Sequence, residues 1–194
     1  MGVPVLLPLI LGFLALGWAG GASAEVFTSR AAALELAFPA ADSISVQDYT
    51  LSPAEARAAE SVGGVPVESR LITAYRGWSG GRVVATAYFD THNVRTLPET
   101  ILLVVGADGT TSAIHLLAFH EPPEYKAPPE FLAQFRGRAL TKDLGVGRGI
   151  SGIAGSTLTS HAITAAVRRI LAVHRVLHDE AGSHRPAASM ASIP

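Results

Sequence analysis

The chain has 194 residues, 48% of them hydrophobic and 16% charged, so it can bury a sizeable core and is not expected to be disordered throughout. With 15 basic and 16 acidic residues its formal charge is -1, which argues against a dedicated nucleic-acid binder. The absence of cysteine excludes disulfide frameworks, thiolate metal sites and thiol catalysis.

The first 24 residues predict an export signal. They carry no charged side chain, and an apolar run over 3–18 precedes Ala22-Ser23-Ala24, whose small-x-small spacing is typical of a signal peptidase site. The run is shorter than the roughly 20 residues of a spanning helix, and no later segment is suited to span a membrane. We therefore expect residues 1–24 to be a cleaved signal and the mature protein to be periplasmic. A retained signal anchor is the alternative.

Two short helices are predicted next. The first covers 28–38, with a hydroxyl residue, Thr28 or Ser29, as its N-cap, and it ends before Pro39. The second begins at the capping box Ser52-Pro53-Ala54-Glu55 and ends at a pair of glycines, Gly63 and Gly64.

Four strands follow, because β-branched and aromatic residues are concentrated over 67–75, 82–89, 100–105 and 112–119. Glycine-rich turns over 77–81 and 107–109 join them into two hairpins. Parallel strands would need helical crossovers, which the spacing does not allow. The sequence therefore predicts an antiparallel sheet built from two hairpins.

The C-terminal half adds helices to this sheet. A proline-dense loop over 120–129 leads into a short helix over 130–136. A long helix is predicted over 160–177, since Ile163, Val167, Ile170 and Leu171 share one face. The tail over 181–194 is expected to be disordered. The prediction is one α+β domain over 25–180, with helices, including the long C-terminal one, flanking the antiparallel sheet.

Hydroxyl side chains cluster at the start of the long helix, at Ser156, Thr157, Thr159 and Ser160. A helix N-terminus presents free N–H groups and the positive end of the helix dipole, which favour an anion. Gly155, just before them, lets a ligand approach the backbone closely. An ordinary N-cap at Thr159 or Ser160 would explain part of this pattern, and a phosphate-bearing ligand is the alternative interpretation.

The segment over 151–163, SGIAGSTLTSHAI, resembles the signature of the FMN-binding domain in the flavin subunits of Rnf and sodium-pumping NADH:quinone reductase complexes. In that family a threonine after Gly-Ala carries FMN through a phosphoester that an exported flavin transferase installs. The resemblance implies FMN as the cofactor, with Thr157 as the acceptor and Gly155, Ser156, Thr159 and Ser160 around it. The chain departs from the family pattern at three positions, where Ser151, Ala154 and Ser156 replace Asp, Ser or Thr, and Ala.

The resemblance extends over roughly residues 65–175. The segment over 116–125 is similar to a family loop, His-x-Glu-Thr-Pro-Gly, that lies along the flavin, which implies that Glu121 and Pro123 contact the cofactor. The segment over 89–100 resembles small stand-alone exported members. The implied function is an exported electron carrier that exchanges electrons with a membrane or periplasmic redox partner. The alternative is a flavin-free binding or assembly module of a membrane redox complex with the same fold.

Other site interpretations carry less weight. His174 and His178 have the i, i+4 spacing of metal ligands, but His174 lies in the apolar stripe, so no metal site is expected. A triad of Asp90, His92 and Ser156 could be drawn, but the chain lacks the G-x-S-x-G pattern of a hydrolase, and no catalytic residue is assigned.

Three further residues are candidates around the flavin. Tyr125 could stack on its ring, and Arg148 and Arg168 flank the expected phosphate position. A solvated helix face explains Arg168 equally well.

Overall fold

The computed structural model describes residues 25–26 and 29–179. The predicted signal over 1–24 and the predicted disordered tail over 181–194 lie outside the described residues. Within the described ranges, no helix combines the length and the apolar character needed to cross a membrane.

The described residues form one antiparallel sheet with the strand order β1-β6-β5-β4-β3-β2. The strands are β1 (Glu25–Val26), β2 (Ser43–Thr50), β3 (Leu71–Ser79), β4 (Arg82–Asn93), β5 (Pro98–Gly106) and β6 (Thr111–Phe119). The expected hairpins are β3–β4 and β5–β6, but β3 lies four residues later than the predicted 67–75, and residues 77–79 of the predicted turn are paired with β4. Gly80 and Gly81 form the first turn with φ of 56° and 74°, a conformation that glycine adopts without strain. The α+β prediction is confirmed.

Strand β2 was not predicted from the sequence. It pairs with β3 from Ser43 opposite Trp78 to Thr50 opposite Leu71. Its polar side chains bond to the neighbouring strand, as where the Trp78 indole N–H donates to Ser45 Oγ at 2.8 Å. Polar and apolar residues alternate over 43–47, as in a half-buried strand, but the alternation covers only five residues and ends at Asp48, so the pairing with β3 is needed to define the strand.

The helices are α1 (Arg30–Ala37), α2 (Pro53–Gly63), α3 (Pro129–Ala133) and α4 (Thr157–Asp179), with a short 3-10 helix at Pro123–Tyr125. The predicted capping box is present, since Ser52 and Glu55 exchange side-chain and backbone hydrogen bonds, and Gly64 ends α2 with φ of 67°. Helix α3 ends at 133 rather than at the expected 136. Helix α4 starts three residues before the expected 160, so Thr157 lies in its first turn.

The two faces of the sheet pack against different helices. On one face, Leu103 and Val105 of β5 are buried with Ile163, Val167 and Leu171 of α4. On the other face, the core includes Leu34 and Phe38 at the end of α1, packed with residues of β3 to β6. Burial of these apolar side chains fixes α4 on the sheet. The N-terminus of α4 consequently lies near the turn between β4 and β5 and the loop after β6.

Candidate functional site

A cavity of about 280 Å³ lies where three segments meet: the β4–β5 turn, the loop after β6 and the first turn of α4. Its lining residues are Val94, Arg95, Glu121, Tyr125, Gly155, Ser156, Thr157, Leu158 and Thr159. The structure thus brings Glu121 together with four of the five candidate residues around the start of α4, namely Gly155, Ser156, Thr157 and Thr159. Ser160 is fully buried behind them, and Pro123 begins the 3-10 helix beside the cavity without lining it.

The start of α4 provides donors for an anion. Gly155 has φ of 78°, which reverses the chain just before the helix. The N–H groups of Thr157, Leu158 and Thr159 have no backbone partner among the described residues, and the first turn carries no acidic side chain. The positive end of the dipole of this 23-residue helix is therefore not neutralised by its own sequence.

The hydroxyl groups at this position are not equivalent. Three of them are used inside the fold. Ser156 Oγ donates to the Glu124 carbonyl at 3.2 Å, and Thr159 Oγ1 donates to the Tyr125 carbonyl at 2.6 Å. Ser160 Oγ donates to the Ser156 carbonyl at 3.1 Å and accepts the Ile153 N–H at 2.8 Å.

Thr157 is the exception among these hydroxyl residues. Its side chain is exposed and lines the cavity, and its hydroxyl has no hydrogen-bond partner among the described residues. The expected N-cap at Thr159 or Ser160 is wrong, because α4 begins at Thr157 and both residues lie within its first turn. Thr157 is the hydroxyl that remains available to a ligand.

Glu121 supports the opposite wall of the cavity. Its Oε1 accepts the backbone N–H groups of Arg95, Thr96 and Leu97 at 3.1, 2.6 and 2.8 Å. Hydrogen bonds from Leu97, Thr96 and Arg95 lower the pKa of the Glu121 carboxyl, so the group is ionised at neutral pH. The carboxylate therefore holds the β4–β5 turn against the loop after β6.

Four cavity residues were not among the sequence-predicted site residues: Val94, Arg95, Tyr125 and Leu158, of which only Tyr125 had been considered as a ring contact. Arg95 brings a positive charge, and its guanidinium pairs with no carboxylate in the described part of the chain. Tyr125 and Leu158 add apolar surface. Arg95 lies about 60 residues before α4 in the chain, and the one signal for it is its position in a turn between two strands.

The two arginines expected to flank the phosphate lie elsewhere. Arg168 donates to the carbonyls of Gly63, Thr141 and Leu144, so it joins α4 to the end of α2 and to a later turn. Arg148 is exposed beside Gly145. Neither residue lines the cavity.

Of the three residues that could be drawn as a triad, Asp90 and His92 lie together, and Ser156 bonds elsewhere. Asp90 Oδ1 lies 2.8 Å from His92 Nδ1, but His92 Nε2 faces Glu99 Oε1 at 2.7 Å, and Arg169 donates to both oxygens of Asp90. The hydroxyl of Ser156 is bonded to a carbonyl, and no hydroxyl nucleophile reaches His92 among the described residues. These four side chains form a buried charge cluster, Asp90–His92–Glu99–Arg169, instead of a catalytic triad.

In the histidine pair on α4, His174 is engaged within the fold. His174 Nδ1 lies 2.9 Å from the Tyr88 hydroxyl, and burial lowers the pKa of His174 to about 4. No group of three or more potential metal-ligating side chains occurs within the described ranges.

Comparison of the chain with protein-family models, with curated proteins and with solved structures gave no match.

Proposed function

We propose that this protein is an exported flavoprotein electron carrier that binds FMN in the cavity at the start of α4, with the phosphate esterified to Thr157. One observation carries the proposal. Of the hydroxyl residues around this helix N-terminus, Thr157 is the one whose side chain is exposed to the cavity and has no partner among the described residues. It is also the residue that the resemblance to the FMN-binding domain selects.

The residues of the cavity fit the two ends of such a cofactor. The first-turn N–H groups of α4 and the guanidinium of Arg95 suit a phosphate. Tyr125, Val94 and Leu158 suit a flat apolar ring. The volume of about 280 Å³ is at the lower end of the range of roughly 300–1,000 Å³ typical of small-molecule sites. The cavity would therefore enclose only part of the ligand and leave a flavin edge accessible to a redox partner.

The contributions of the chain are binding and positioning. FMN, when bound, supplies the redox chemistry. Glu121 holds the wall that carries Arg95, and the Ser156 and Thr159 hydroxyls fix the start of α4 to the 3-10 helix. The ester forms when Thr157 Oγ1 loses its proton and bonds to the flavin-side phosphorus of a flavin dinucleotide. The phosphoanhydride bond of that donor breaks, and its nucleoside monophosphate leaves. We assign this step to a flavin transferase, and we place a membrane or periplasmic redox partner downstream.

The test is to express the full chain with an exported flavin transferase and to examine the purified protein by intact mass and by in-gel flavin fluorescence after denaturation. We expect one FMN per chain and its complete loss in Thr157→Val. Thr159→Val is the matched control, because its hydroxyl is bonded to a carbonyl, and it should retain the label. Label that survives Thr157→Val, or that depends on Thr159, would refute the assignment.

A flavin-free binding or assembly module is the second candidate. Two observations favour it: the residues Ser151, Ala154 and Ser156 depart from the family signature, and the cavity is small. This candidate predicts a colourless protein of unmodified mass even when the transferase is active on a known acceptor in the same cells. It also predicts that added FMN does not alter the thermal unfolding midpoint.

A further inference from the structure

Two arginine side chains, Arg168 and Arg148, lie against residues 144–145, away from the candidate cavity. The guanidinium of Arg168 is fixed by carbonyls: Nε donates to Gly63 at 2.7 Å, and Nη1 donates to Thr141 at 2.9 Å and to Leu144 at 2.7 Å. Its Nη2 donates to no group among the described residues. This nitrogen lies 3.5 Å from the position that a Cβ on Gly64 would occupy, so the missing side chain leaves space beside it.

The Arg148 side chain lies against Gly145, the residue that follows Leu144. A Cβ on Gly145 would lie 3.0 Å from Nη2 and 3.1 Å from Nε of Arg148, so the guanidinium covers the backbone of Gly145. Leu144, whose carbonyl binds Arg168, directly precedes this glycine. Burial lowers the pKa of Arg168, and the nearby positive charge of Arg148 lowers it further. The two guanidinium groups thus contact consecutive residues, Leu144 and Gly145.

No carboxylate among the described residues contacts either of these two guanidinium groups. The acceptors of Arg168 are neutral carbonyls, and the Arg148 side chain donates no hydrogen bond within the described ranges. Neither arginine forms an ion pair with a described carboxylate. Exposed Lys142 and Asp143 add opposite charges in the same segment, so the two arginines leave it with a net positive charge. Neighbouring like charges repel each other, and an anion bound between them relieves that repulsion.

We propose that Arg148 and Arg168 form a binding site for a phosphate group, presented either by a small anion in solution or by the headgroup of an anionic lipid. A guanidinium offers several N–H donors that match phosphate oxygens, and although Nε and Nη2 of Arg148 face Gly145, its Nη1 and Nη2 of Arg168 are available. Arg168 follows Thr157 by eleven residues of α4, a separation of about 16 Å along the helix at its usual rise. The site is thus distinct from the cavity and does not depend on the proposed flavin function.

The first experiment titrates inorganic phosphate into the full chain and follows the NMR signals of the Arg148 and Arg168 Nε–H groups and of the Gly145 amide. Saturable shifts of these signals are expected. Arg148→Gln should raise the apparent Kd for phosphate at least ~10-fold, the loss of affinity typical of removing a charge-assisted hydrogen bond. Arg148→Lys keeps the charge without the fork and should give an intermediate loss.

Arg82→Gln is the matched control, because Arg82 is an exposed arginine at the β3–β4 turn and its loss changes the net charge equally. It should leave the Kd within about twofold of the original value, since surface charges at a distance are screened. Arg148→Gln removes no hydrogen bond, so its urea unfolding midpoint should not fall. An equal effect of Arg82→Gln, or signals that do not saturate, would overturn the proposal for free phosphate.

The second experiment distinguishes the two sources of phosphate. The full chain is sedimented with vesicles of phosphatidylglycerol and, separately, of phosphatidylcholine. Binding to phosphatidylglycerol alone that is lost in Arg148→Gln and kept in Arg82→Gln identifies a lipid headgroup. Binding of inorganic phosphate without vesicle binding identifies a small anion. If neither ligand binds in an Arg148-dependent manner, the site does not exist.

Discussion

Across the paired strands β4 and β5, Nε2 of His92 lies 2.7 Å from Oε1 of Glu99, and both side chains are buried. The other ring nitrogen faces Asp90, which Arg169 also binds. An imidazolium donates from both nitrogens and gives each carboxylate one hydrogen bond, whereas Oε2 of Glu99 has no partner among the described residues and burial raises the pKa of that carboxyl. Burial by itself lowers the pKa of His92, but the hydrogen bonds and charges of Asp90 and Glu99 outweigh burial and raise it to about 9.

This relationship predicts that stability falls in mildly alkaline solution. The folded pKa of His92 is above its unfolded value of about 6.5, so the stabilisation is complete below pH ~6.5 and is lost as the pH rises towards 9. We expect the free energy of unfolding to decrease by about 3 kcal/mol over this window.

Urea denaturation at several pH values measures the effect, with His92→Gln as the comparison. The pKa values of His115 and His174 are lowered by burial, so those residues change the stability only below pH ~6.5. An equally steep loss of stability in His92→Gln would contradict the assignment.

Removal of Glu99 should be more costly than a surface substitution. Its side chain is fully buried, and Glu99→Ala leaves a buried imidazolium with one carboxylate partner and opens a cavity. The expected loss is about 3–5 kcal/mol of unfolding free energy. Glu99→Gln retains an oxygen acceptor for His92 and should lose less. Glutamine fills the same space as glutamate, so an equal loss for both variants would contradict this ranking and assign the whole effect to the lost carboxylate charge.

Glu121 should control the local stability of the β4–β5 turn. Glu121→Ala removes the common acceptor of the Arg95, Thr96 and Leu97 amides. Hydrogen exchange of these amides should accelerate at least ~10-fold, because their opening no longer breaks a hydrogen bond. Glu121→Gln keeps an acceptor oxygen and should have a smaller effect. Exchange of the Leu103 amide in β5 serves as the internal reference, and equal acceleration there would indicate global destabilisation.

Two threonines in the first turn of α4 should differ in their contribution to stability. Thr159→Val leaves the Tyr125 carbonyl without its donor and should cost about 1 kcal/mol. Thr157→Val changes an exposed side chain that has no partner among the described residues and should cost less than about 0.5 kcal/mol. Urea unfolding of both variants tests this difference. A larger cost at Thr157 would assign its hydroxyl a structural role.

Local signals explain which parts of the fold could be predicted. The capping box at Ser52 and the glycine turns at Gly80 and Gly81 are short-range patterns, and the structure contains them where the sequence indicates. Strand β2 has a shorter signal, because the alternation of polar and apolar residues over 43–47 is interrupted at Asp48 and its polar side chains pair with β3. Long-range pairing of this kind is not encoded in a local window.

The same distinction applies to the candidate site. The sequence indicated a group of hydroxyls, but only packing against the carbonyls of Glu124 and Tyr125 separates Thr159 from Thr157. Arg95 reaches the cavity because Glu121, 26 residues later, holds its turn. Arg168 was expected near the phosphate position, and its acceptor at Gly63 lies 105 residues away in the chain. Side chains that depend on such distant partners cannot be placed by spacing.

The hydrogen bond between Arg168 and Gly63 also bears on the order in which the chain folds. It closes a loop of 105 residues that contains both hairpins, whereas each hairpin forms from neighbouring residues. Closing the longer loop costs more chain entropy, so the hairpins should be assembled in the folding transition state before α2 docks on α4. Substitutions at that helix contact should therefore accelerate unfolding and leave the folding rate nearly unchanged.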